Sequence, residues 1–116
     1  MEAAPAPSDR RVPVHGDLYA EHLLADSAGQ VRGVIDWGDV HANDPAVDLS
    51  FVWSLLPVAA RGAFLDHYGD VGQATLRLAR ARAVFHSASV AHFAAETNDE
   101  RLLRAGLAAL RHTLEE

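Results

Sequence analysis

Residues 14–48 read VHGDLYAEHLLADSAGQVRGVIDWGDVHANDPAVD, and the rest of the chain is organised around this stretch. It holds two short apolar runs, a polar turn containing glycine between them, and acids and histidines gathered at the ends of the runs. Residues 21–25 and 31–36 predict two strands, and residues 26–30 (Asp-Ser-Ala-Gly-Gln) have the composition of a turn. Two such runs around a Gly-containing loop predict a β-hairpin. A hairpin runs out and back, so the residues before its first strand meet those after its second. His15, Gly16 and Asp17 are thereby expected beside Asp36, Trp37 and Gly38. Upstream, residues 11–15 predict one more strand leading into the His-Gly-Asp turn.

Working outward, Asp44 before Pro45 predicts a helix start, with a carboxylate cap and proline in the first turn. Val47, Phe51 and Leu55 follow at helical spacing up to Pro57, which is expected to open a second helix carrying Phe64 and Leu65 and ending at Gly69. Residues 72–96 predict the longest helix, with Ala74, Leu78, Ala81, Phe85, Ala88 and His92 as one stripe. Asn98 is expected to cap the last helix, with Asp99 and Glu100 in its first turn and Leu103, Leu107, Leu110 and Leu114 buried. The expected fold class is α+β, mostly helical: a small β-hairpin followed by about four helices. Residues 1–10, rich in Ala and Pro, read as a flexible leader. Residues 11–116 read as one domain, with its hairpin part over 11–40 and its helical part over 43–116.

Composition excludes several functions. The chain has no cysteine, so disulfides, thiolate zinc sites and thiol nucleophiles are absent. A net charge of −6 argues against a nucleic-acid partner, because a phosphate backbone calls for a basic surface. No run reaches transmembrane length and the first residues lack the apolar centre of a secretory signal, so the expectation is a cytoplasmic protein without a membrane partner. All ten basic residues are arginine, and any chemistry that needs a lysine must find it elsewhere. The Ala- and Arg-rich usage suggests a GC-rich bacterial genome.

The acids and histidines of the opening stretch have a spacing with chemical meaning. His22 lies five residues after Asp17, and Asp36 lies nineteen after it in Ile35-Asp36-Trp37-Gly38-Asp39. Protein kinases carry the same skeleton: a His-x-Asp turn, a metal ligand five residues on, and an Asp-x-Gly whose aspartate grips magnesium. HGDLYAEHLL followed by VIDWGDVHANDPAVDLSF resembles the aminoglycoside phosphotransferase and choline kinase-like family, whose usual pattern is HGDLHPGNLL, IDWGD and GDPAYDLA. The resemblance is close over residues 12–51 and only general beyond. It implies a phosphotransferase that moves the ATP γ-phosphoryl to a hydroxyl of a small molecule, with ATP and Mg²⁺ as cofactors. It makes Asp17 the catalytic base, His22 and Asp36 the metal ligands, and His15 and Asp48 structural supports of the site.

Three features depart from that family. His22 stands where Asn is usual, and imidazole suits softer metals better than magnesium, although the macrolide branch of the family also has His there. Asn43 replaces a glycine, a mild change because Asn tolerates left-handed backbone. The phosphate-covering loop and lysine of a kinase N-terminal lobe have no counterpart in the chain, which reads as part of a C-terminal lobe with weak or no nucleotide binding by itself, completed by a missing lobe segment or by a homodimer. Two other classes are weighed: a non-catalytic kinase remnant that binds a partner or self-associates, and a metal-dependent hydrolase built from His15, Asp17, His22 and Asp36. The remaining histidines read as surface or helix residues, and Trp37 and Trp53 as core.

Overall fold

A computed structural model describes residues 10–116, so the expected leader falls, except for Arg10, outside the described residues. Four short strands come first: β1 (Val12–Val14), β2 (Leu23–Ala25), β3 (Val31–Val34) and β4 (His41–Asn43). Five helices follow: α1 (Ala46–Leu49), α2 (Phe51–Ser54), α3 (Val58–Tyr68), α4 (Gln73–Glu96) and α5 (Glu100–Leu114). The architecture is α+β and mostly helical, as the sequence pattern implies.

The strands form two nested antiparallel pairs. The inner pair is the expected hairpin, with Leu23 opposite Val34 and an irregularity between Leu24 and Ala25. Its turn closes through Asp26, whose carboxylate accepts the N–H groups of Ala28 and Gln30 and also pairs with Arg32. Glu21 and His22 belong to a 3₁₀ turn over Ala20–His22 instead of the strand expected there. The outer pair, β1 with β4, puts Val14 opposite His41. Nothing in His-Ala-Asn suggests a strand; β4 is held by its ladder to β1 and by Arg11, which donates to the Asn43 side chain at 3.0 Å. This outer pair brings the segments flanking the inner hairpin together at one end.

Asp44 caps the helical part as expected, accepting the Ala46 N–H at 2.9 Å while 2% exposed. Ser50 keeps helical angles between α1 and α2, so the two form one nearly continuous segment. Its inward face is Ala46, Leu49 and Val52, and these pack with Ala79 of α4 as the core, leaving Val47, Phe51 and Leu55 only half-buried. Pro57 precedes α3 and Gly69 ends it at a φ of 112°, as the sequence implies.

The long helix is correct in extent and wrong in facing. Its buried residues are Thr75, Ala79, Ala83, Ser87, Ala91 and Ala94, whereas Phe85 is 77% exposed. The reason is α5, which lies against α4 so closely that a Cβ on Gly106 would come within 2.9 Å of the Ala91 nitrogen. Small residues allow that approach, so they take the interface and the large ones turn outward. The leucine stripe of α5 is correspondingly half right: Leu103 and Leu110 are partly buried, Leu107 and Leu114 exposed. Asp99 and not Asn98 is the cap, accepting the Leu102 N–H at 3.0 Å, while Asn98 takes a φ of 56°.

Arg61 of α3 ties the helices together. It is 9% exposed, and its guanidinium donates to the carbonyls of Val52, Trp53, His112 and Glu115. Burial, with Arg80 nearby, lowers its pKa below the ordinary arginine value. The carbonyls it bonds lie near the C-terminal ends of α2 and α5, where helix carbonyls lack partners and cations are favoured.

Candidate active site

The site grows from the turn at residues 15–17. Both carboxylate oxygens of Asp48, in α1, accept backbone N–H groups from this turn: His15 at 2.7 Å and Gly16 at 3.1 Å. Gly16 has a φ of 93°, and a Cβ there would lie 2.5 Å from the Asp39 carbonyl oxygen. Only glycine satisfies both conditions, so the His-Gly-Asp turn and the Ile35–Asp39 segment press together through it.

His15 is 3% exposed and fully engaged. Its Nδ1 accepts the Asp17 N–H at 3.1 Å, which leaves Nε2–H to donate to the Ile35 carbonyl at 2.8 Å. The Trp37 ring lies 4.6 Å from the His15 ring, and its indole N–H donates to the Val34 carbonyl at 2.8 Å. Trp37 is not core as expected; it is 55% exposed and covers His15 from the solvent side.

His22 is the centre of the site. Its Nδ1–H donates to the Asp17 carbonyl at 2.7 Å, and Nε2 sits 3.0 Å from Asp36 Oδ2. With Nδ1 committed as donor, Nε2 either carries a second proton for Asp36 or shares a cation with that carboxylate. The left-handed φ of 60° at Asp36 turns the chain off the strand there. Asp tolerates that region at some cost, and such strained residues cluster at functional sites. Asp17 Oδ2 is 3.7 Å from His22 Nδ1, and its side chain is about half exposed. The structure thus gathers all five expected residues: the side chains of Asp17 and Asp36 are exposed, His22 lies buried against both, and His15 and Asp48 support the turn beneath them.

Two open clefts meet at Asp17. One, of about 410 Å³, lies toward Val47, Arg82 and Phe85. The other, of about 560 Å³, runs between the 15–22 turn and the α4–α5 pair. Asp17, Tyr19 and His86 line both. Tyr19 and His86 were not foreseen. The Tyr19 ring lies 4.3 Å from His22 and 6.1 Å from His86. Burial, then the charges of Asp17, Glu21 and Asp36, raise the Tyr19 pKa above the ordinary 10.0. An aromatic two residues after Asp17, where the kinase-like pattern has His, is the only signal that marked Tyr19; His86, on the long helix and six residues from His92, had none.

A hydrolase built on four ligands loses His15, whose two ring nitrogens are both in use. Among the described residues no group of three or more His, Asp or Glu is arranged to hold a metal. No described helix is long and apolar enough to cross a membrane.

A hairpin-borne His-Gly-Asp turn facing an Asp-x-Gly, backed by helices, defines a kinase-like phosphotransferase lobe, and comparison with known proteins agrees. The model of the phosphotransferase enzyme family matches residues 1–84. Viomycin phosphotransferase of Streptomyces vinaceus is 33% identical over 103 residues, covering 84% of this chain and 35% of that protein. The uncharacterized protein YcbJ of Bacillus subtilis is 32% identical over 59 residues, 51% of this chain and 19% of that one. Among solved structures, a macrolide 2′-phosphotransferase type I superposes with a TM-score of 0.53 at 30% identity, covering 94% of this chain and 37% of that one. The chain belongs to the phosphotransferase enzyme family. It spans about a third or less of the length of the curated relatives it matches.

Proposed function

We propose that this chain supplies the base and metal-binding part of a small-molecule phosphotransferase that moves the γ-phosphoryl group of ATP to a substrate hydroxyl. The observation that carries the reading is the convergence of Asp17, His22 and Asp36, with Asp17 open to two clefts. Asp17 accepts the proton of the attacking hydroxyl. Its backbone is fixed on both sides, by the bond of its N–H to His15 and of its carbonyl to His22, so the carboxylate is held while its oxygens stay accessible. Asp48 holds the turn from below.

The donor set fits magnesium in the way phosphoryl-transfer sites use it, with one or two carboxylates and the remaining positions left to phosphate and water. Asp36, whose side chain is 69% exposed, would be the carboxylate ligand, and His22 Nε2 would be its neighbour, bonding directly or through water. When bound, the ion neutralises charge on the transferring phosphoryl group. The acceptor would be a small-molecule hydroxyl compound, the relatives being named for two chemically different ones, a macrolide and viomycin. The nucleotide clamp is not furnished by these residues: the chain has no lysine, so we expect the isolated chain to bind ATP weakly and not to turn over.

A chimaera tests the reading. The matched third of viomycin phosphotransferase is replaced by this chain, and transfer of labelled γ-phosphate is followed. Asp17→Ala should lower the rate by ~10²–10⁴-fold, the usual worth of a general base. A chimaera whose turnover survives that change would refute the base assignment. Asp36→Asn should abolish Mn²⁺ binding measured by EPR.

A further inference from the structure

The larger cleft has a lining that says what kind of molecule it takes. Its walls are Leu55, Val90, Phe93, Leu102, Ala105 and Ala109, all apolar. Its acids are confined to one end, where Asp17 and Glu21 lie, and Glu21 is already paired with Arg101 at 3.2 Å. A polycationic ligand needs several free carboxylates spread along its length, and this cleft offers one. At about 560 Å³ it falls in the size range of small-molecule sites.

Two polar atoms in this lining are unsatisfied. Ser87 Oγ and His112 Nδ1 are buried without a hydrogen-bond partner among the described residues, and Ser87 is 1% exposed. His112 Nδ1 lies 3.8 Å from the Glu115 carboxylate, beyond hydrogen-bond range. Buried hydroxyls and ring nitrogens are rarely left so, and a pair of them in one apolar cleft is what a ligand's polar groups complete. We propose that this cleft is an acceptor pocket for an apolar-bodied hydroxyl compound with at most one positive charge, oriented by Ser87 and His112 so that its hydroxyl reaches Asp17. The proposal rests on the phosphotransferase reading for the role of Asp17, but its lining chemistry stands apart from turnover.

Binding to the full 116-residue chain, without nucleotide, tests it. Calorimetric titrations would compare two apolar-bodied alcohols, hydrocortisone and erythromycin, with the polyamine kanamycin A. At least one of the first two should bind, and at least ~tenfold more tightly than kanamycin. Phe93→Ala should weaken that binding by ~5–10-fold through lost apolar contact. Ser87→Ala should weaken it by ~fivefold, yet leave the thermal midpoint unchanged or raised, because it deletes an unsatisfied buried hydroxyl. A serine with a purely structural role would lower the midpoint and leave binding alone. Preference for kanamycin, no binding of either alcohol, or a concentration-dependent dimer that blocks the cleft would overturn the proposal. Kanamycin preference would leave the phosphotransfer reading intact, and a chimaera indifferent to Asp17→Ala would leave the binding result intact.

Discussion

The strand region, residues 12–48, and the helical region after it are held together by different physics. In the first, distant segments are joined by polar groups with defined partners: Asp48 to the His15 and Gly16 amides, His15 to Ile35, His22 to Asp17 and Asp36. Its apolar burial is slight: ahead of Asp44, Val14 is the one fully buried hydrophobic residue among those described. In the second, close approach of small residues dominates, with Ala91 against Gly106 and Ala79 in the core. The difference teaches that the site is positioned by hydrogen bonds and supported by a scaffold whose packing tolerates almost no added volume.

That contrast can be broken in graded ways. Arg61→Ala should have the largest effect, ~3–5 kcal/mol off unfolding stability by denaturant titration, since it leaves four carbonyls near helix ends without their charged donor. Gly106→Val should cost ~2–4 kcal/mol by forcing α4 and α5 apart. Asp48→Ala should cost less, ~1–3 kcal/mol. Its signature should be local, with amide exchange accelerated at His15 and Gly16 and unchanged in the middle of α4. Uniform acceleration would mean that the two regions are not separately held.

Two titrations sharpen the comparison further. Tyr19 should ionise above the ordinary 10.0, and Asp17→Asn should bring it part of the way down, because burial is the larger cause and Asp17 the next. Absorbance at the phenolate band, assigned with Tyr19→Phe, reads this directly. The raised value also means that stability tied to the neutral phenol is present below the ordinary pKa and lost as pH rises through the folded one. The smallest effect belongs to Asp26, whose carboxyl is held below its ordinary 3.8 by the Gln30 N–H first and Arg32 next. A depressed carboxylate stabilises above its unfolded pKa and ceases to as pH falls through the folded value. The Ala28 and Gln30 amide shifts should therefore move in acid, and Asp26→Asn should abolish that movement.

How much was legible divides along the same line. The hairpin, the Asp44 cap, the Pro57 and Gly69 boundaries and the five-residue site cluster follow from local chemistry, because turns, caps and motif spacing are written in neighbouring residues. The facing of α4 was not legible. Alanine occurs on every side of that helix, so the sequence carries little directional pattern, and the choice was made by Gly106, fifteen residues beyond Ala91. Strand β4 was hidden for a related reason, since His41-Ala42-Asn43 becomes a strand only because β1 lies beside it. Nothing near Arg61 in sequence announces its role, because two of the carbonyls it meets lie more than fifty residues away.

The acceptors of Arg61 are all main-chain oxygens. Every residue type carries a carbonyl, so changes at Val52, Trp53, His112 or Glu115 leave the acceptor in place. Genetic fragility is therefore one-sided. A mutational scan should find position 61 intolerant, lysine included because it lacks the fork geometry, while its four partner positions report only their own side chains. A search for compensating pairs would pass this junction by, since only one of its members is visible to substitution.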